Sequence, residues 1–143
     1  VVYGDMPLFR QETFLEMTES HLTSQAVCTV MTGIFDKIPD YGRIIRNENG
    51  EIVRVIEVRD CSSEQLKISE VNVGVIICNS KLLFESLSEL RNDNAQMEYY
   101  LTDLTEILIQ KGFKVNTYLL KNTEEALGIN TLEDLKRAEI YFK

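Results

Sequence analysis

The sequence contains a single histidine, His21, and only three cysteines, Cys28, Cys61 and Cys78, all far apart. The cysteines match no metal-ligand spacing, and their odd number is unsuited to a disulfide framework. Cys28 and Cys78 sit inside apolar runs, so buried thiols in a reducing cytosol are expected. His21 falls late in a helical stretch among polar neighbours, with no serine or cysteine motif beside it, which argues against a histidine-based nucleophile relay. No apolar run approaches the length of a membrane span and no signal peptide is present, so the expected setting is the cytoplasm, with no membrane partner. Basic residues are also scarce: 15 Lys and Arg against 23 Asp and Glu give a formal charge of −8. Nucleic-acid backbones and anionic membranes are recognised by clustered cations, so those partners are excluded, and an anionic small molecule would need a local cation.

What is present suits one domain over residues 1–143, because a chain of this length with 44% hydrophobic residues can bury a core without staples. No repeats, low-complexity tracts or internal linkers interrupt it. The chain opens on Val1-Val2-Tyr3, an apolar run that stops at Gly4-Asp5-Met6-Pro7. Strand formers, then a glycine, then a proline that cannot continue a ladder, place Asp5 at the carboxyl end of a strand. Ligands of open α/β sheets bind beyond such ends, and a carboxylate there suits Mg²⁺. Asp5 reads equally as a turn former or helix cap. A strand of core character at the very start is expected to lie beside the apolar run Val71 to Cys78 or another central strand. Further strands are expected upstream, and without them one flank would be an apolar edge that dimerises, aggregates or accepts a complementary N-terminal fragment.

Arg10 to Leu22 has helical periodicity, with Phe14, Met17, Leu15 and Leu22 as its apolar positions. Ala26 to Met31 reads as a strand. Pro39 and Gly42 mark a bend before two short strands, Ile44 to Arg46 and Glu51 to Val58, joined through Asn49-Gly50, a strong antiparallel hairpin signal. A short helix is expected over Ser62 to Leu66, then a buried central strand over Val71 to Cys78. Leu83, Leu87 and Leu90 mark a further helix, and Leu101, Leu104 and Leu108 another over Glu98 to Lys111, closed by Gly112. Lys114 to Leu120 reads as a strand. Thr131 then caps a helix carrying Leu132, Leu135, Ala138 and Phe142, with Asp134 completing a relative of the capping box. Helices alternating with strands define an α/β fold, expected as a mixed, mostly parallel sheet flanked by helices, with one small antiparallel hairpin.

Polar residues that interrupt apolar strands are the candidates for chemistry, since a buried carboxylate without partners is costly. Glu57 stands between Ile56 and Val58, and Glu70 and Asn72 open the central strand. Glu57 either binds something or pairs with Arg43 or Arg54. Asn72 can donate and accept at once, as sugar hydroxyls require. Asn130 is either an ordinary residue before a helix cap or an amide oxygen for a metal shared with Asp5.

Six blocks occur in one order: Tyr3-Gly4-Asp5-Met6-Pro7-Leu8, Tyr41-Gly42-Arg43-Ile44, Ile56-Glu57 with Asp60, Glu70-Val71-Asn72 with Gly74, Asn94-Ala95-Gln96 with Glu98-Tyr99-Tyr100-Leu101-Thr102-Asp103, and Gly128-Ile129-Asn130-Thr131. Together they resemble the pyrophosphorylase domain of bacterial N-acetylglucosamine-1-phosphate uridyltransferases, in its C-terminal part. The resemblance implies a partial nucleotide-diphospho-sugar transferase (Rossmann-like) fold and uridylyl transfer from UTP to N-acetylglucosamine-1-phosphate, with UDP-N-acetylglucosamine and pyrophosphate as products. It implies Mg²⁺ held by Asp5 and Asn130, Tyr3 and Gly4 lining the nucleotide-sugar site, Gly42 contacting sugar through its backbone, Glu57 accepting from sugar hydroxyls, and Asn72 completing the pocket. Met97 stands where the family usually has glycine, and Val73 where threonine is common. The family's glycine-rich phosphate loop, its lysine and its second, acetyltransferase domain have no counterpart in these residues. Two classes of function follow: an enzyme portion, or a catalytically silent sugar-nucleotide-binding or interaction module. Another sugar-1-phosphate nucleotidyltransferase is the remaining alternative.

Overall fold

The computed structural model describes residues 1–142, the side chain of Phe142 and all of Lys143 lying outside the description. Five strands form one sheet in the order β3-β2-β4-β1-β5. They are β1 (Cys28–Ile34), β2 (Arg43–Arg46), β3 (Ile52–Ile56), β4 (Glu70–Cys78) and β5 (Val115–Leu119). The pairings correct the expectation of a mostly parallel sheet. β1 is parallel to β5 alone, whereas β1 with β4, β2 with β3, and β2 with β4 are all antiparallel.

The reason is that both faces of the sheet are covered. α1 (Gln11–Ser24) lies on one face, where Met17, Met31, Val73, Val75 and Tyr118 form a buried cluster with Phe9 and Phe14 against it. On the other face α2 (Ser80–Leu87) and α3 (Leu104–Gln110) cover Cys28, Val30 and Ile76 with Leu82, Leu83, Leu104 and Leu108. An antiparallel strand buried on both sides loses the polar alternation that would announce it.

Several boundaries follow local chemistry. The hairpin turns at Gly50, φ +79°, and α3 closes at Gly112, φ +80°, both in the region glycine tolerates best. α4 (Leu132–Ala138) begins with a complete capping box between Thr131 and Asp134, whose carboxyl is lowered by the Thr131 hydroxyl and the Asn130 and Thr131 amides. The helix expected from Glu98 begins only at the 3-10 turn Leu101–Asp103, and the short helix expected over Ser62 to Leu66 is a 3-10 helix over Gln65–Lys67, with the Ser62 hydroxyl accepting from the Gln65 amide at 3.3 Å. Leu15 and Leu22 of α1 are exposed, as is Leu132 of α4, so the apolar stripes are narrower than their sequences suggest.

Glu125 is 5% exposed, and one of its carboxylate oxygens accepts from the Arg10 amide (3.0 Å) and the Thr13 hydroxyl (2.6 Å) at the start of α1. It satisfies orphan donors there and complements the positive helix end. Glu125→Ala is expected to lower stability by about 2–3 kcal/mol, and Glu125→Gln by about 1, as read by urea denaturation. Equal losses for both would refute the charge contribution.

Candidate functional site

The site is assembled where the first residues cross β4. Val1 exchanges both backbone hydrogen bonds with Ile76, at 2.7 and 3.0 Å, so the opening run meets the central strand there. Residues 1–5 nevertheless form no strand, and Val1, Val2 and Tyr3 are exposed, which corrects the expectation of a core strand ending at Asp5: only Val1 finds a ladder partner. β2 pairs with β4 only at Arg43 and Val71, and the space beyond receives the N-terminal segment. β4 bulges between Asn72 and Ile76, and Gly74 there has φ +82°. The ring of Tyr3 seats on it so closely that a β-carbon on Gly74 would stand 2.5 Å from ring atoms.

Glu57 is the centre of the polar cluster. A β-carbon on Gly42 would lie 3.3 Å from both Glu57 carboxylate oxygens and 2.9 Å from Val55, so Gly42 makes room for that carboxylate. Thr102 donates its hydroxyl to Glu57 Oε1 at 2.9 Å. Neither expected arginine pairs with it: Arg43 donates to the Pro39, Tyr41 and Leu66 carbonyls, and Arg54 faces Glu106 at 3.9 Å. Tyr3 is close enough that burial first, then Glu57 and Asp5, push its hydroxyl above the ordinary tyrosine value. Asn72 is 7% exposed and tied to Gly42 through its amide N–H (2.7 Å). Its Oδ1 accepts from the Gly74 amide (3.1 Å), so the side-chain NH₂ is what it can offer a ligand. Glu70, in contrast, is structural. Burial pushes its carboxyl up, but a two-pronged contact with Arg46 (2.6 and 2.7 Å) brings it below the usual range.

Asp5 and Asn130 come from opposite ends of the chain and are brought together by backbone: Ile129 N–H donates to Asp5 O at 2.8 Å. Both are exposed. A β-carbon on Gly4 would meet nothing within 4 Å, so that glycine faces open space. No group of three or more His, Cys, Asp or Glu disposed to hold a metal occurs among the described residues. The donor set on offer is one carboxylate and one amide oxygen, which fits an ion such as Mg²⁺ that keeps waters and substrate phosphates in its remaining positions.

Three residues of the cluster were not singled out from sequence. Thr102 orients Glu57, Tyr41 bonds the Ala126 carbonyl (3.0 Å) and so joins the bend before β2 to the segment carrying Asn130, and the Tyr100 hydroxyl is enclosed yet bonds to no described residue. All three lie inside or beside the quoted sequence blocks, but only tertiary contacts reveal their tasks. Beyond Glu57 a cleft of about 930 Å³ opens between β3, the loop after α2, and α3, with Asp60, Arg91, Tyr100 and Asp103 in its walls. A recess of about 290 Å³ on Glu57's other flank is bounded by Asp40, Arg59, Gln96 and Tyr100. Asp5 and Asn130 line neither.

Met97 adopts φ +55° at the tip of the loop that leads to Tyr100. The Asn94 carbonyl and side chain hold it there by accepting from the Met97, Gln96 and Glu98 amides at 3.1–3.2 Å. Met97→Gly is expected to stabilise the protein by about 1 kcal/mol, since left-handed backbone is costly for a side-chain-bearing residue. A melting temperature that stays level or falls would contradict this.

The arrangement defines a class. Solved structures with the same fold include a nucleoside-diphosphate-sugar pyrophosphorylase from Vibrio cholerae (TM-score 0.62, 14% identity, covering 81% of this chain and 47% of that one). A Bacillus anthracis protein described as a glucose-1-phosphate thymidylyltransferase, crystallised with sucrose, also matches (TM-score 0.59, 19% identity, 86% and 46%). The fold is therefore that of nucleotidyltransferases. No protein-family model matches the chain. Among curated proteins it is 41% identical, over all 143 residues, to the bifunctional protein GlmU of Bacillus thuringiensis and of Bacillus cereus. The chain spans 31% of the length of those relatives. Over its whole length the chain is thus similar to a partial region of such proteins.

Proposed function

We propose that these residues form the sugar- and metal-binding wall of a UDP-N-acetylglucosamine pyrophosphorylase, which transfers uridylyl from UTP to N-acetylglucosamine-1-phosphate and releases pyrophosphate. The observation that carries this reading is the Glu57 carboxylate, lodged against Gly42, fixed by Thr102 at 2.9 Å and paired with no cation. Such a group is an acceptor-only site suited to sugar hydroxyls. Asn72 would donate to the same sugar, Gly42 would meet it through its backbone, and Tyr3 and Gly4 would line the nucleotide-sugar beside it. Asp5 and Asn130 would hold Mg²⁺, which when bound neutralises phosphate charge. Attack of the sugar-phosphate oxygen on the α-phosphorus of UTP needs alignment and charge compensation more than a protein nucleophile. That agrees with a chain whose only histidine, His21, bonds Thr29 (2.8 Å) beneath α1.

We assign this activity to the cytoplasm, where UTP is available; among the described residues no helix is long and apolar enough to cross a membrane. Isothermal titration with N-acetylglucosamine-1-phosphate, UTP and UDP-N-acetylglucosamine, each with Mg²⁺, tests the reading. Glu57→Ala is expected to weaken sugar-phosphate binding by about 1–3 kcal/mol while sparing UTP, and Asp5→Ala to remove the Mg²⁺ dependence. Equal loss for both substrates with Glu57→Ala would sink the sugar-binding role. Binding without any pyrophosphate release would favour the silent-module reading.

A further inference from the structure

Cys28 and Cys78 oppose each other across β1 and β4, at the end of the sheet away from Asn72, and the proposed function uses neither. Their orientation follows from the backbone. Ile76 gives both its N–H and C=O to Val1, so it turns them away from β1. These groups alternate sides along a strand, so Cys78, two residues on, also turns its own away. The flanking bond from Asn79 N–H to Val27 O, 2.8 Å, is the one this register requires. Cys28 and Cys78 are thus a non-hydrogen-bonded pair, the closer kind, with α-carbons about 4.5 Å apart. Disulfides span about 4.4–6.8 Å between α-carbons.

Both side chains lie on the sheet face covered by α2 and α3. Cys28 is fully buried and Cys78 partly exposed, so reagents reach Cys78 first. The neighbouring Cys28 thiol also draws Cys78 below the ordinary thiol value, while that contact and burial push Cys28 up. Cys61 stands apart, on the segment after β3, with its thiol directed to the Ile56 carbonyl.

We propose that Cys28 and Cys78 are a redox-modification site that closes to a reversible intrachain disulfide under peroxide. The Cys78 thiolate attacks hydrogen peroxide, the O–O bond breaks, and Cys78 becomes a sulfenic acid as hydroxide leaves and is protonated to water. The Cys28 sulfur then attacks the Cys78 sulfur; the S–S bond forms, the S–O bond breaks, and the departing hydroxide takes the Cys28 proton. In sum, two thiols and one peroxide give one disulfide and two waters, with two electrons passing from sulfur to peroxide oxygen. The bond ties β1 to β4 without touching Glu57 or Asn72.

Treatment of the full chain with hydrogen peroxide, followed by thiol titration under denaturing conditions and peptide mapping, tests the proposal. Two of the three free cysteines should disappear into one peptide pair joining Cys28 to Cys78, and dithiothreitol should restore them. The oxidised form should melt at higher temperature than the reduced one, because the closed loop restricts the unfolded chain. Cys61→Ser should behave as the parent, whereas Cys28→Ala and the less buried Cys78→Ser should each abolish the crosslink. A crosslink that includes Cys61, a disulfide only between chains, Cys78 ending as a sulfinic acid beside a free Cys28, or no oxidation at all would each overturn it.

Discussion

Gly74→Ala is expected to destabilise the protein by about 2–4 kcal/mol and to expel Tyr3 from its seat. Two effects add. The residue sits at φ +82°, where a β-carbon is strained in any surroundings, and that carbon would be 2.5 Å from Tyr3 Cδ2 and Cε2. Once displaced, the phenol leaves the neighbourhood of Glu57 and Asp5, so its raised hydroxyl should titrate nearer the ordinary tyrosine value. A double-mutant cycle separates the parts. In a Tyr3→Ala background only the backbone strain remains, and Gly74→Ala should then cost about 1–2 kcal/mol. Strict additivity of the two substitutions would show that the ring does not rest on Gly74.

The second large effect is expected at Arg43, which is 4% exposed and whose guanidinium donates only to main-chain carbonyls: Pro39 (3.0 Å), Tyr41, and more distantly Leu66 (3.5 Å). It ties the bend before β2 to the turn at Gln65–Lys67. Arg43→Ala should cost about 3 kcal/mol, because partly buried carbonyls lose their donors and a buried side chain is removed, and ligand affinity should fall with it as Gly42 loses its fixed position beside Glu57. Arg43→Lys should recover little, since a point charge cannot reproduce a planar fork aimed at several acceptors. Full rescue by lysine in urea denaturation would indicate that charge alone matters there.

The parts of the fold that sequence disclosed are those set by local stereochemistry. Asn49-Gly50 announced the hairpin, Gly112 the end of α3, and Thr131 with Asp134 the start of α4, because each feature is satisfied within a few residues. Strand direction was hidden, since β1 and β4 are buried on both faces and direction leaves no trace in an unbroken apolar run. The start of α3 was misplaced because Asn94 spends its side chain on the amides of Gln96 and Glu98, competing with helix at residues whose own periodicity allows it. In the candidate site, Glu57 and Asn72 stand out in the sequence as polar residues within apolar runs, although Glu57 lies just beyond β3, before the 3-10 turn Val58–Asp60, and only Asn72 is inside a strand. Thr102 was not, for a hydroxyl on a helical turn has no distinctive pattern until its distant partner is known.

The bulge in β4 also constrains how the length of this strand can change. Between the pairs Val30–Ile76 and Thr32–Asn72, β4 carries three residues where β1 carries one. The surplus is even, so the alternation of faces passes through it unbroken, and Val73, Val75 and Ile77 all reach the α1 side. Removal of one residue here would turn everything beyond it over, presenting Ile76 and Cys78 to the wrong layer. Removal of two would keep the layers in phase and lose only the socket for Tyr3. Insertions and deletions at this point are therefore tolerated by the core in pairs, and the phenol's docking place is the part that such a change can delete without unmaking the sheet.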